Sequence, residues 1–196
     1  MFPARASIIV PPEEREQYLK RIKDAIRSHP DFPKEGIIFR DIFGVFQNPK
    51  LTQFLFTEIR RLVQEHIAPT TKIDAVVCPD ARGFLFGPTM AVYLDCAFVP
   101  ARKVGKLPGK CHRVSYTLEY GTATVELQEN ALRPNEQVIL IDDLLATGGS
   151  LKACVDLIRM ANANPVAAVT VMELNGLGGR ARLEGAEIRV YSMFKF

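Results

Sequence analysis

Residues that build metal sites and catalytic triads are scarce in this chain. It has three histidines, which share no ligand spacing, and four cysteines, none of which belongs to a Cys-x-x-Cys pair. A protein-held zinc ion and a Ser-His-Asp triad are therefore not expected. Because the cysteines lie in otherwise ordinary segments, they are best interpreted as buried free thiols of a reducing compartment.

Long hydrophobic runs and runs of one charge sign are also missing. The longest apolar stretch, residues 84–94, is interrupted by Gly87 and Pro88 and is too short to span a membrane, and no apolar run of signal-peptide length opens the chain. The net charge is only +3, and 47% of the residues are hydrophobic. We therefore expect a cytoplasmic globular protein that binds an anionic small molecule, with no membrane or nucleic-acid partner.

The chain shows no sign of division. No internal repeat or low-complexity linker interrupts its 196 residues, so a single domain over 1–196 is expected. Amphipathic spacing predicts a helix from Glu13 that ends at His29-Pro30, and a second helix over 49–67.

One stretch, residues 138–150, combines a predicted strand, an acidic turn and a glycine loop. The aliphatic run 138–141 predicts a strand that is buried on both faces, and a helical pattern begins near Ser150. The glycines allow backbone N–H groups to approach an anion, and the helix dipole favours a phosphate there. No lysine precedes the hydroxyl residue, which excludes a Walker loop. Asp142 and Asp143 would repel a bare phosphate but suit a ligand that also carries hydroxyls, such as a ribose 5-phosphate.

The sequence Asp-Asp-Leu-Leu-Ala-Thr-Gly-Gly at 142–149 resembles the phosphoribosyl pyrophosphate motif of the type I phosphoribosyltransferases, in the form found in adenine phosphoribosyltransferases. The alternative is an ordinary strand-to-helix turn whose acids complement the helix dipole. The resemblance implies an α/β fold with a mostly parallel central sheet flanked by helices, and a small hood built from about residues 1–45 and the C-terminal segment. It implies that Asp142 and Asp143 bind the ribose hydroxyls and that the next residues bind its 5-phosphate: Ala146, Thr147, Gly148, Gly149 and Ser150.

A second block follows the predicted strand 73–78. The turn Pro79-Asp80-Ala81-Arg82-Gly83 lies at the carboxyl end of that strand, where ligands gather in open α/β sheets. Taken alone, Arg82 suits a surface ion pair equally well. The turn is similar to the family's Asp/Glu-Ser/Ala-Arg-Gly turn, and the resemblance implies that Asp80, Ala81 and Arg82 hold pyrophosphate.

The third block, residues 102–113, contains six basic residues, two glycines and a proline. Composition alone favours a solvated charged loop, whereas the glycines suit a flexible loop that closes cations over a phosphate. The segment is similar to the family's Arg-Lys-x-Gly-Lys-Leu-Pro-Gly signature. This implies a mobile catalytic loop over about 102–121 whose Arg102, Lys103 and Lys106 contact pyrophosphate oxygens. Because such cations reach a neighbouring subunit's site in relatives, the resemblance also implies a homodimer.

The fourth block is Ser-Tyr-Thr-Leu-Glu-Tyr-Gly at 115–121, within a predicted hairpin over 114–127. It is similar to the family's Ser-x-x-Leu-Glu-Tyr-Gly. The resemblance implies that Glu119 is the acid/base residue that meets the purine and that Tyr120 belongs to the phosphoribosyl pyrophosphate site. The alternative for Glu119 is a solvent-facing position on a hairpin.

Two further segments concern the base. Residues 32–42 look like the hood pattern Phe-Pro-x-x-Gly-Ile-x-Phe-Arg-Asp-Ile, which implies that the backbone near Ile38, Phe39 and Arg40 contacts the purine edge. The side chains of this run suit a core role at the same time. Residues 172–180 resemble the family's Val-Glu-Leu-x-x-Leu-x-Gly-Arg, which implies that Leu174 forms a wall of the adenine pocket.

The resemblance implies a reaction: adenine and phosphoribosyl pyrophosphate give AMP and pyrophosphate, in purine salvage. Arg82, Glu119, Asp142 and Asp143 are the expected catalytic residues. Mg²⁺ is expected, held mainly by the substrate and without a dedicated set of protein ligands. Two alternatives remain. One is a phosphoribosyltransferase for another base, against which the hood and Leu174 segments argue. The other is a regulator that senses phosphoribosyl pyrophosphate, against which the complete loop motif and the lack of a nucleic-acid-binding segment argue.

Overall fold

The structure is a computed structural model that describes residues 11–118 and 121–196. The chain forms two compact units, Met1–Ile59 and Arg60–Phe196. The organisation as one domain over 1–196 stays a prediction. Among the described residues, no helix combines the length and the apolar character needed to cross a bilayer.

The first unit consists of short elements around a two-stranded hairpin. Its first helix ends because Ile26 adopts an extended conformation, and the chain then enters a strand directly. The predicted helix end at His29-Pro30 is therefore wrong: both residues lie in that strand, which pairs antiparallel with the next one. The elements are α1 (Pro12–Ala25), β1 (Arg27–Pro30), β2 (Ile38–Asp41), α2 (Phe43–Phe46) and the start of α3 (Pro49–His66).

A buried ion pair joins the first and last helices of this unit. Glu58 is only 3% exposed, and both of its carboxylate oxygens accept hydrogen bonds from Arg15, at 2.7–3.1 Å. The same two helices are in contact through the rings of Tyr18 and Phe54, whose centroids are 5.0 Å apart. Polar and aromatic contacts therefore fix α1 on α3.

The second unit is built on a seven-stranded sheet of order β5-β6-β4-β3-β7-β8-β9. The five strands β4, β3, β7, β8 and β9 are parallel, while β5 and β6 form an antiparallel hairpin that pairs with β4. The mostly parallel sheet with flanking helices is thus confirmed. The strands are β3 (Ala75–Pro79), β4 (Ala97–Lys103), β5 (Cys111–Leu118), β6 (Gly121–Gln128), β7 (Gln137–Leu145), β8 (Asn164–Glu173) and β9 (Arg189–Lys195). The helices are α4 (Gly87–Leu94), α5 (Gly149–Met160) and α6 (Gly179–Glu184), together with a 3₁₀ turn (Arg82–Leu85).

The core of this unit explains why β7 is central. Its residues Val138–Ile141 are fully buried, as their continuous aliphatic run predicts for a strand covered on both faces. One face packs on α5, whose apolar side, including Leu157 and Ile158, is also fully buried. From β3 the chain continues on one side to β4, whereas β7, β8 and β9 lie on the other side. Such a change of direction opens a crevice at the carboxyl ends of the two central strands, β3 and β7.

An ion pair at the end of β8 fixes the short helix α6. Arg180 donates from Nε and Nη2 to the two oxygens of Glu173, at 2.8 and 2.6 Å, and from Nη1 to the carbonyl of Val190 at 2.9 Å. Glu173 is 6% exposed. The hydrogen bonds from Arg180 lower the pKa of Glu173, against the opposing effect of burial. A carboxyl group with a lowered pKa stabilises the fold above its ordinary value of 4.5, and this contribution is lost as the pH falls.

We expect Glu173→Gln to destabilise the protein at pH 7 by about 1–3 kcal/mol, because the amide replaces one of two charge-assisted acceptors with a donor. The difference from the parent should shrink below pH 4.5, as the pH falls through the lowered pKa of the folded carboxyl group and the parent is protonated in both states. Urea unfolding at several pH values measures both quantities. A difference that stays constant with pH would show that the charge of Glu173 contributes nothing.

Candidate active site

A cavity of about 200 Å³ lies where β3 and β7 end. Its walls come from the turn after β3, from the end of β7, from the loop that follows and from the hairpin strand β5. The lining residues are Arg82, Tyr116, Asp142, Leu144, Leu145, Ala146, Thr147, Gly148, Gly149, Ser150 and Leu151. The structure thus brings together Arg82, Asp142 and the whole predicted phosphate loop.

Two adjacent carboxylates and one arginine form the charged floor of this region. Asp142 and Asp143 are 9% and 1% exposed. The backbone N–H of Asp143 donates to Asp142 Oδ1 at 2.9 Å. Arg82 Nε lies 3.1 Å from Asp143 Oδ2, which makes an ion pair by distance. Asp143 Oδ2 is buried and accepts no hydrogen bond.

Burial controls the titration of both carboxyl groups. It raises the pKa of Asp142 well above the ordinary 3.8, and the neighbouring charge of Asp143 raises it further. Burial also raises the pKa of Asp143, which the positive charge of Arg82 partly opposes. A site that buries two like charges side by side favours a ligand that donates hydrogen bonds or carries positive charge.

The loop after β7 presents a helix N-terminus to the cavity. Gly148 adopts a left-handed conformation, with φ of 75°, that L side chains rarely tolerate, and α5 begins at the next residue. Since the first N–H groups of a helix have no partner within the helix, they can bind an anion here. The predicted 5-phosphate residues therefore stand at a suitable position.

The short helix α6 packs directly against this loop. A Cβ atom on Gly179 would lie 2.1 Å from the carbonyl oxygen of Ala146, and one on Gly148 would lie 2.9 Å from the carbonyl oxygen of Gly179. The backbones of the loop and of α6 are therefore in direct contact, which only glycine allows. Nothing in the local motif of the loop predicts this contact.

Asp80 connects the turn after β3 to the basic loop. Asp80 Oδ2 accepts a hydrogen bond from the backbone N–H of Lys103 at 3.2 Å and lies 3.6 Å from Arg102 Nε. Arg102 also donates from Nη1 to the carbonyl of Lys106 at 3.1 Å. The peptide bond between Asp80 and Ala81 is cis. The two predicted pyrophosphate segments are thus neighbours.

The predicted mobile loop over 102–121 contains regular structure in its described part. Arg102 and Lys103 end β4, an exposed turn spans 104–110, and β5 follows. Glu119 and Tyr120 lie outside the described residues, so their roles and the mobility of the loop stay predictions. Tyr116 lines the cavity although it was not among the predicted site residues. Its alternation with Val114 in β5 is the signal that places it on one face of the hairpin.

Leu174 lies beside the phosphate loop. Its backbone N–H donates to the carbonyl of Leu145 at 2.9 Å, and its side chain is half-buried. The residue therefore joins the ends of β8 and β7. Its predicted role as a wall of the base pocket stays a prediction.

In the first unit, the three predicted base-reading residues form most of β2. Pro30 of β1 is opposite Ile38, and Ser28 is opposite Arg40. Because proline has no N–H, the pair of Pro30 and Ile38 belongs to the non-hydrogen-bonded class, and so does the pair two residues further along. The N–H and C=O groups of Ile38 and Arg40 therefore point away from β1, along one outer edge. The side chain of Ile38 is 52% exposed, so the idea that it is a core residue is wrong.

Within residues 11–118 and 121–196, no group of three or more His, Cys, Asp and Glu side chains is arranged to hold a metal ion. The four cysteines are free.

Comparison with known proteins agrees with this geometry. The model of the phosphoribosyl transferase domain matches residues 50–195. Adenine phosphoribosyltransferase from Yersinia pestis (strain Pestoides F) is 44% identical over 180 residues, which cover 92% of this chain and 94% of that protein. The structure of the Saccharomyces cerevisiae adenine phosphoribosyltransferase, complexed with an imino-altritol bisphosphate and adenine, has a TM-score of 0.85 and 42% identity, with 91% and 99% of the two chains covered. The enzyme from Thermoanaerobacter pseudethanolicus has a TM-score of 0.85 and 38% identity, with the same coverage.

A family model that covers most of the chain and a relative at 44% identity along nearly its whole length leave one assignment. The chain belongs to the phosphoribosyltransferase family and, within it, to the adenine phosphoribosyltransferases.

Proposed function

We propose that this protein transfers the phosphoribosyl group of phosphoribosyl pyrophosphate to adenine, releasing AMP and pyrophosphate, in purine salvage. The observation that carries the proposal is that the buried carboxylate of Asp142, with that of Asp143 next to it in the chain, lines one cavity together with a helix N-terminal glycine loop. Carboxylates accept hydrogen bonds from hydroxyls, and helix N–H groups bind a phosphate. A sugar that carries both groups satisfies the two halves of this site.

The chemistry of the reaction matches the charges of the site. Breaking the bond between C1 of the ribose and the pyrophosphate builds positive charge on the sugar ring. Asp142 and Asp143 accept hydrogen bonds from the 2- and 3-hydroxyls, and their negative charge stabilises the developing cation in a low-dielectric environment. Residues Ala146–Ser150 bind the 5-phosphate and so fix the position of the reacting carbon.

The leaving pyrophosphate needs positive charge. Arg82 lies at the end of β3 beside Asp143, and the basic loop with Arg102, Lys103 and Lys106 is joined to the same turn through Asp80. Mg²⁺ is expected to arrive with the substrate, held mainly by its oxygens. The buried Oδ2 of Asp143, which accepts no hydrogen bond, is a hard donor of the kind that Mg²⁺ prefers. When bound, the ion neutralises charge on the leaving group.

Selection of adenine is assigned to the outer edge of β2. Adenine offers an amino donor and a ring-nitrogen acceptor, which complement the carbonyl of Ile38 and the N–H of Arg40. Hypoxanthine offers the reverse pair, and each mispaired buried polar group costs about 1–3 kcal/mol. Phe39 and Leu174 are the other two residues that the family resemblance assigns to adenine. Glu119 is assigned the role of general base: it accepts the proton that the purine nitrogen loses when this nitrogen attacks C1.

Two properties of the whole protein complete the proposal. A homodimer is supported by the resemblance of the basic loop, whose cations reach a neighbouring site in relatives. A cytoplasmic location, without membrane or nucleic-acid partners, is supported by the buried free thiols of Cys78 and Cys154, which suit a reducing compartment.

The first test is a substrate panel. Purified protein is mixed with Mg²⁺, phosphoribosyl pyrophosphate and one base at a time, and nucleotide is quantified by chromatography. We expect AMP from adenine and at least about a hundredfold less nucleotide from hypoxanthine, because two mispaired groups reduce binding of the transition state. Equal rates with both bases would overturn the role of β2, and product from no base would favour a regulator that senses phosphoribosyl pyrophosphate.

Removing the charge of both carboxylates should separate catalysis from folding. We expect Asp142→Asn combined with Asp143→Asn to lower turnover by about a hundredfold or more, since stabilisation of the ribosyl cation is lost. The fold should survive, because burial opposes both charges in the parent. Steady-state kinetics and thermal unfolding measure the two effects. Asp156→Asn is the control, since this residue pairs with Lys152 on α5. A double variant that keeps full activity would disprove the ribose assignment.

The contact between α6 and the phosphate loop gives another prediction. We expect Gly179→Ala to lower kcat/KM for phosphoribosyl pyrophosphate by about a hundredfold, since the added methyl group overlaps the Ala146 carbonyl and must displace the loop by about 1 Å. Gly185→Ala, at the other end of α6, is the matched control, because its Cβ would approach no atom closer than 3.1 Å. Equal kinetics for the two variants would show that α6 does not position the loop.

A further inference from the structure

A glutamate of the hairpin is buried although it lies outside the site described above. Glu126 of β6 is 0% exposed. A carboxylate is almost never fully buried unless its oxygens are paired or hydrogen-bonded. Its partners therefore indicate what it does.

The partners of Glu126 belong to the basic loop. Glu126 Oε1 accepts hydrogen bonds from the backbone N–H groups of Lys106 and Leu107, both at 3.1 Å. Glu126 Oε2 accepts a hydrogen bond from Arg113 Nε at 3.2 Å. One buried side chain thus binds two consecutive main-chain donors of the turn and one charged side chain of β5.

The hydrogen bonds to Glu126 are strong enough to change the direction in which its pKa is shifted. Burial alone would raise the pKa of Glu126. The hydrogen bonds from the N–H of Leu107, from Arg113 and from the N–H of Lys106 nevertheless lower the pKa below its ordinary value. The carboxylate is therefore held in its charged form, and charge-assisted hydrogen bonds of this kind are about twice as strong as neutral ones.

Other contacts lead to the same turn. Arg102 is opposite Glu126 in the pairing of β4 with β6, and Arg102 Nη1 donates to the Lys106 carbonyl. Further along the turn, Gln128 Nε2 donates to the carbonyl of Pro108 at 3.0 Å. Residues 103–106 are exposed, and Leu107 is only half-buried. Polar contacts therefore hold the backbone of the turn, and a single oxygen of Glu126, Oε1, accepts hydrogen bonds from two of its N–H groups, those of Lys106 and Leu107.

We propose that Glu126 is a positioning residue for phosphoribosyl pyrophosphate binding: its buried carboxylate holds the backbone at Lys106 and Leu107 in the conformation that presents Lys106 and Arg102 to the pyrophosphate. This inference rests on the proposed function, in which the basic loop binds pyrophosphate. Glu126 itself touches no substrate. It acts through the main chain of the turn.

The test is Glu126→Gln, with Glu129→Gln as the matched control. The amide of the variant keeps the size of the side chain but places a donor against other donors. Glu129 is exposed near the end of the same strand, and its backbone N–H binds the Lys110 carbonyl. We expect hydrogen exchange at the amides of Lys106 and Leu107 to become at least about tenfold faster in Glu126→Gln, because their charged acceptor becomes a neutral amide oxygen and the new NH2 group must face either Arg113 or the turn. Exchange in Glu129→Gln should equal that of the parent.

The kinetic expectation separates positioning from general damage. KM for phosphoribosyl pyrophosphate should rise by about tenfold or more, while KM for adenine changes by less than about twofold. If Glu126→Gln does not fold, Glu126→Asp serves instead, because it keeps the charge but shortens the reach to the turn. Hydrogen exchange is measured without substrate, so it tests whether Glu126 holds the turn even if the parent makes no AMP. A parent that makes no AMP would contradict the proposed function but not this contact.

Two results would overturn the proposal. One is unchanged exchange at Lys106 and Leu107 in the folded variant, which would show that the carboxylate does not hold the turn. The other is faster exchange with equal changes in both KM values, which would reduce Glu126 to a structural residue. Faster exchange with a selective rise in KM for phosphoribosyl pyrophosphate supports it.

Discussion

The burial of two adjacent carboxylates at the end of the central strand is the constraint on which the site depends. Asp142 and Asp143 follow directly on the fully buried run of β7, so neither can move into solvent without breaking the core. Their repulsion is reduced by Arg82 and by a backbone N–H, but one oxygen of Asp143 accepts no hydrogen bond. A ligand whose hydroxyl groups donate hydrogen bonds to these carboxylates offsets the cost of burying them. Under the proposed function, the hydroxyls of the substrate donate these hydrogen bonds, so binding offsets that cost.

The surrounding elements supply positive charge at the same edge of the sheet, and one of them, Arg82, pairs with Asp143. The helix N-terminus of α5, Arg82 and the basic loop belong to three different segments of the chain, and the sheet brings them to one edge. The backbone of the phosphate loop packs against the backbone of Gly179, and the basic loop is hydrogen-bonded to Asp80 and Glu126. Under the proposed function, the placement of the groups that bind phosphate therefore depends on residues that support the two loops, among them Gly179 and Glu126.

The parts of this structure that could be predicted from sequence are local ones. The buried strand β7 and the start of α5 follow from residues within one short stretch, so hydrophobic pattern and glycine placement are sufficient. The roles of Tyr116 and Glu126 were not predictable in this way, because they depend on how β6 pairs with β4 and β5. The end of α1 was misplaced for the same reason: pairing with β2 draws Arg27–Pro30 into a strand that the local sequence does not indicate.

The hairpin of the first unit has a consequence for how base choice can change. Under the proposed recognition, the groups that distinguish adenine from a 6-oxopurine belong to the main chain at Ile38 and Arg40. Substitution of either side chain leaves those groups in place, so the sequence here can drift while the choice of base persists. A slip of β2 by one residue against β1 is different, because alternation along a strand would then turn these groups toward β1, where they would be used for strand pairing. Specificity at this edge is therefore vulnerable to insertions and deletions rather than to point mutations.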